Sequence, residues 1–225
     1  MRDFLKVFGV LLLAGCGGSS AECVGSAAPN SIAEMVDLLN ELPQPVTVPC
    51  MIDSLQRPLR MEATTNPFSA QPADGPLSPR MFLFIGDLSI SVVPSGPGAE
   101  VVEFGQVADA THTIKGELAF PIRDEVLQTD PHERVFDGDA GTVCAECHVQ
   151  EAPVNLGDAG TGWASSAIGA DPETVMPIEL VREQAEGCVD SDLRCDVFRA
   201  LFDGEVEHQE FSDQYPTIYE LSPDG

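Results

Sequence analysis

The hydrophobic pattern first becomes regular at Ser31, where SIAEMVDLLNELP sets Ile32, Met35, Val36, Leu39 and Leu42 on one side of a 3.6-residue period. Ser31 and Glu34 form the S-x-x-E pair that caps a helix start, and Pro43 closes the run, so a helix is expected here. From Val46 the period changes. VTVPCMI, PLRMEATT, MFLFIGDLSISVV, EVVEFGQ and THTIKGELAFPI are short β-rich runs divided by Pro and Gly, and Leu88, Ile90 and Val92 alternate with polar neighbours. Residues 46–123 therefore read as a compact antiparallel β unit, a sandwich or a partial barrel. After Pro121 the texture shifts again: VQEAPVNLGDAGTGWASSAIGADPET is rich in Gly and Ala and reads as irregular. Two short helices are expected next. PIELVREQAEGC carries Ile178, Val181 and Ala185 on one face behind Pro177, and DLRCDVFRALFDG carries Leu193, Val197 and Leu201 and stops at Gly204. The expected fold class is α+β: an N-terminal helix and antiparallel β unit over 31–123, then a mainly helix-and-loop half over 124–225.

Length and charge narrow the function classes. The 225 residues, 43% of them hydrophobic, suffice to bury a real core. The 37 acidic side chains against 11 basic ones give a net charge of −26, a field that repels phosphate backbones, so nucleic acid is excluded as a partner. The same field serves solubility or the docking of a basic partner.

At the N-terminus, Arg2 and Lys6 precede VFGVLLLAG, an apolar core too short to span a bilayer, which together read as an export signal. The tetrapeptide LAGC, Leu13 to Cys16, resembles the lipobox of bacterial lipoproteins. That resemblance implies a signal peptide over 1–15, cleavage before Cys16 and diacylation of the Cys16 thiol, with 16–30 as a flexible tether of small polar residues. Gly17 in place of Asp resembles lipoproteins sorted to the outer membrane. The expected location is the cell envelope, with a lipid anchor in the outer membrane facing the periplasm or the cell surface.

CAECH, Cys144 to His148, puts two cysteines three apart with a histidine directly behind the second. Two thiols so placed can add to the vinyl groups of a haem, with the imidazole then lying against the iron. The pentapeptide is similar to the CxxCH attachment site of c-type cytochromes. The resemblance implies one covalent haem c, thioether bonds at Cys144 and Cys147, His148 as proximal iron ligand, and a cytochrome c-like haem-binding region over 124–225. In small soluble cytochromes c the position four before the first cysteine is aromatic, whereas here it is Ala140 in the loop-like FDGDAGTV. Met176, the only methionine after the motif, is the first candidate for the sixth ligand, with His208 and His132 as alternatives. Trp163 is a candidate donor to a haem propionate. Without haem, Cys144 and Cys147 would instead read as a small disulfide loop or half of a zinc site.

Export implies an oxidising compartment. With Cys16 assigned to lipid and Cys144 and Cys147 to haem, Cys23, Cys50, Cys188 and Cys195 remain. Their three possible pairings reduce by proximity to Cys23 with Cys50 and Cys188 with Cys195. The function expected is an electron carrier, not a catalyst, passing single electrons between envelope redox partners. The alternative is an envelope binding or structural lipoprotein whose β unit recognises a partner, with the haem regulatory or absent. No nucleophile-base motif or phosphate loop stands out, and one haem with no second redox centre leaves a peroxidase short of an electron.

Overall fold

A computed structural model describes residues 23–138 and 141–221; the signal segment 1–15, the lipobox cysteine Cys16, tether positions 16–22 and Ala140 lie outside the described residues. The first helix, α1 (Ile32–Glu41), starts where Ser31 Oγ accepts the Glu34 N–H at 3.1 Å and the Glu34 carboxylate accepts the Asn30 N–H at 2.6 Å. Its buried face is Ile32, Met35, Val36 and Leu39. VTVPCMI is a helix and not a strand. Thr47 Oγ1 accepts the Cys50 N–H at 3.3 Å and Pro49 sits in the first turn, so α2 (Val48–Asp53) forms against the β propensity of Val48.

The strands that follow are β1 (Leu59–Thr64), β2 (Arg80–Ile85), β3 (Leu88–Val92), β4 (Val101–Val107) and β5 (His112–Ala119), each antiparallel to the next. Gly86 turns the β2–β3 hairpin at φ +55, and a Cβ there would collide with Asn30 Oδ1, which accepts the Asp87 N–H at 2.8 Å. Then come α3 (Asp130–Val135), β6 (Ala152–Asn155), β7 (Thr161–Ser166), β8 (Val175–Met176), α4 (Ile178–Glu186), α5 (Leu193–Phe202) and β9 (Val206–His208).

All nine strands among the described residues belong to one sheet, in the order β6-β7-β5-β4-β3-β2-β1-β8, with β9 parallel to β1. This corrects two expectations. The β unit is not a sandwich, because its strands belong to one sheet whose apolar face is covered by helices. Residues 124–225 are not a helix-and-loop, cytochrome c-like half, because they contribute β6, β7, β8 and β9 to the same sheet. These four strands are short and poor in apolar alternation, so they become strands through pairing: β7 against β5 from His112 to Ile114, and β8 against β1 at Ala63 and Thr64.

The two faces of the sheet differ. Met61, Met81, Leu83, Ile90, Phe104 and Ile114 pack against the buried sides of α1, α2, α4 and α5 in one apolar core. Cys23–Cys50 ties the N-terminal segment to α2, and Cys188–Cys195 ties the end of α4 to α5. The opposite face carries Arg80, Phe82, Ser91, Glu103, Thr113 and Lys115, which alternate with the core residues along the same strands. Among the described residues no helix is long and apolar enough to cross a membrane.

Candidate functional site

Residues 142–151 fold into a helical turn closed by its own polar groups. Glu151 accepts the Thr142 N–H at 2.8 Å and the Thr142 hydroxyl at 2.6 Å, while Thr142 Oγ1 accepts the Cys144 N–H at 3.1 Å. The Cys144 carbonyl then accepts the N–H groups of both Cys147, at 3.1 Å, and His148, at 2.8 Å. The turn so closed holds the Cys147 and His148 backbones against Cys144 and leaves the Cys147 side chain exposed. Two further bonds fix the turn to the end of β7: Ser166 N–H donates to the Val149 carbonyl at 2.8 Å, and His148 Nδ1 donates to the Ser166 carbonyl at 2.8 Å.

That second bond sets the imidazole. A carbonyl can only accept, so Nδ1 carries the proton and Nε2 keeps its lone pair, with no protein partner among the described residues. Burial, and then the charge of Lys115, push the His148 pKa down to about 3, so the ring is neutral near neutral pH. Cys144 is half-buried and Cys147 exposed, and neither is in a disulfide, although the other four described cysteines are paired. Burial raises the Cys144 pKa.

Cys144 and His148 line a cavity of about 260 Å³ whose floor is the polar face of β2 to β5. Arg80 is held there by Ser91 Oγ at 2.6 Å, by Ser69 and by an ion pair with Glu103. Lys115, only 9% exposed, donates to Thr113 Oγ1, and burial lowers its pKa to about 8. The segment 209–215 closes another wall. Phe211 meets Phe82 and Phe84 edge-on at 4.8 and 4.9 Å, and its N–H donates to Glu62 Oε2 at 3.2 Å. The rim near the thiols is apolar: Val143 is 51% exposed and Phe136 46%, a large exposure for such residues on so acidic a chain. Trp163 stacks on Phe136 at 6.4 Å.

The donor set fits a covalently held haem. One unpaired thiol, Cys144, lines the cavity beside the exposed apolar Val143, a second, Cys147, is exposed three residues on, and an imidazole offers a free Nε2 with its other nitrogen held by a carbonyl.

The other ligand candidates lie elsewhere. Met176 pairs with Ala63 on β1, which turns it to the helix-covered face, and it is buried in the core on the far side of the sheet. His208 is exposed on β9 beside β1. His132 is buried on α3 with Nδ1 bonded to the Lys115 carbonyl at 3.0 Å, close to where β7 leaves β5, and it is not among the cavity-lining residues. Arg80, Lys115, Ser166 and Phe211 were not singled out from the sequence. One signal was present: Lys6 and Lys115 are the only two lysines in the chain. The chain matches no family profile, no curated protein and no solved structure.

Proposed function

We propose that this chain is an exported, lipid-anchored c-type cytochrome that passes single electrons between redox partners of the cell envelope. One haem is attached at Cys144 and Cys147, with His148 as proximal ligand. The observation that carries this reading is the set imidazole: Nδ1 of His148 is bound to the Ser166 carbonyl beside two unpaired thiols, leaving Nε2 to a metal. The Ser166 carbonyl fixes the ring orientation and makes Nε2 a stronger donor. When bound, haem supplies a reversible one-electron couple. Phe82, Phe84 and Phe211 form an apolar wall of the cavity, and the Arg80–Glu103 pair lies in its polar lining. The β unit thus has a part in the site, since its strands form the floor beneath the motif. Cys16 and the short signal segment support the lipid anchor and the envelope location.

A second reading, an envelope binding lipoprotein without haem, is favoured by one observation. The cavity joins an apolar wall of Phe82, Phe84 and Phe211 to the convergent polar groups Arg80, Glu103 and Lys115, the kind of lining usual for a small-molecule site. An alkaline-pyridine difference spectrum decides between them, taken on protein lacking Cys16 and made in a host with a cytochrome c maturation system. Electron transfer predicts a c-type signal that survives acid–acetone extraction and disappears in Cys144→Ser/Cys147→Ser. A colourless wild-type protein overturns the haem reading and leaves the second.

A further inference from the structure

We propose that Lys115, and not Met176, His208 or His132, supplies the sixth iron ligand through Nζ. The inference rests on the haem reading above and adds the residue that completes the coordination. The three ligands expected from sequence lie away from the cavity, one of them behind the sheet. Of the four carboxylates that line the cavity, Asp87, Glu103, Glu117 and Glu210, Glu103 is committed to Arg80 and Glu117 to Arg134. Lys115 differs from both. It is nine-tenths buried, forms no ion pair among the described residues, and has Thr113 Oγ1 as its hydrogen-bond acceptor.

A buried ammonium with one neutral acceptor carries a cost that a surface lysine would avoid. This chain otherwise avoids the residue: outside the signal segment, Lys115 is its single lysine, and it lines the same cavity as His148 and Cys144. A haem propionate is a poorer occupant for it. Thioether bonds form at the vinyl edge of the macrocycle and propionates leave from the opposite edge, whereas Lys115 lines the same cavity as Cys144. On ligation the Nζ lone pair goes to iron and one proton passes from the ammonium to solvent, with no change of oxidation state.

The test is the ferric absorption and electron paramagnetic resonance spectrum of the full, haem-loaded chain. Wild type is expected to be low-spin with two nitrogen ligands. Lys115→Ala is expected to lose that signal and become high-spin with water bound, and Lys115→Met to change it into a methionine-ligated one; the near-isosteric methionine variant decides if the alanine variant does not fold. Tyr215→Phe, which removes another cavity oxygen, is expected to change nothing. A positive pyridine spectrum with unaltered low-spin signals in both Lys115 variants overturns this assignment alone, as does a change in Tyr215→Phe in their place. A negative pyridine spectrum overturns it together with the haem reading.

Discussion

Replacing Arg80 with methionine keeps an unbranched apolar stem, shortens the side chain and removes its guanidinium, whose three nitrogens bond Ser91, Ser69 and Glu103. Arg80 and Glu103 side chains are 16% and 22% exposed, so the substitution leaves a mostly buried carboxylate without its counter-charge. Removing one member of a buried pair costs about 3–5 kcal/mol, and the residual exposure of Glu103 places this case near 3. The Ser91 hydroxyl keeps Gln71 as a partner at 2.5 Å, so the serines add little. Arg80→Met/Glu103→Gln removes the stranded charge, and its cost should fall short of the sum of the single costs by about 1.5–3 kcal/mol. Urea unfolding of haem-free protein reads this directly. With a slope of about 2–3 kcal/mol per molar, Arg80→Met should lower the midpoint by about 1 M or more, and the double variant should recover a large part of that. A shift below about 0.3 M for Arg80→Met, or additivity within about 0.5 kcal/mol, would refute the claim that this pair organises the cavity floor.

The remaining expectations concern the crosslinks, acid stability and the far side of the sheet. By loop-closure entropy, the Cys23–Cys50 disulfide, spanning 27 residues, is worth about 3.5 kcal/mol and Cys188–Cys195, spanning 7, about 2.3. Cys23→Ala/Cys50→Ala should therefore lower the thermal midpoint further than Cys188→Ala/Cys195→Ala, and the reverse order would contradict it. His148 has a folded pKa of about 3 against about 6.5 when free, so on acidification the unfolded chain takes its proton first. The haem-free protein should lose stability as pH falls from about 6.5 towards 3, with His148 adding a slope approaching 1.4 kcal/mol per pH unit. His148→Gln should flatten the profile in that window, and parallel profiles would show that the ring is not held neutral. Met176→Leu should cost less than about 1.5 kcal/mol and leave the haem spectrum unchanged, because Met176 packs in the core behind the sheet. A shifted spectrum would return Met176 to the iron.

What could be read from the chain tracks what is local. Ser31, Glu34 and Pro43 delimit α1 through neighbours three or four residues away, and β1 to β5 carry their own alternation. Thr47 and Pro49 were equally local, yet the valines around them pointed to a strand, and the cap decided the outcome. β6 to β9 were not legible, because TGWASS or VM becomes a strand only when β5 or β1 offers an edge. The site divides in the same way. CAECH carries its chemistry within five residues, so Cys144, Cys147 and His148 stand out from sequence. Lys115 and Arg80 reach the cavity through the register of the sheet, and in the sequence they are two polar positions among several. Met176 has the reverse history: as the only methionine after the motif it stood first for the iron, and its pairing with Ala63 put it on the opposite face.

The most direct test of the central claim is the intact mass of the protein, lacking Cys16, purified from a host with a cytochrome c maturation system and denatured before analysis. The account predicts the polypeptide mass plus one haem, reduced to the polypeptide alone in Cys144→Ser/Cys147→Ser. A wild-type protein at the bare polypeptide mass, or a double variant that still carries haem, would contradict it.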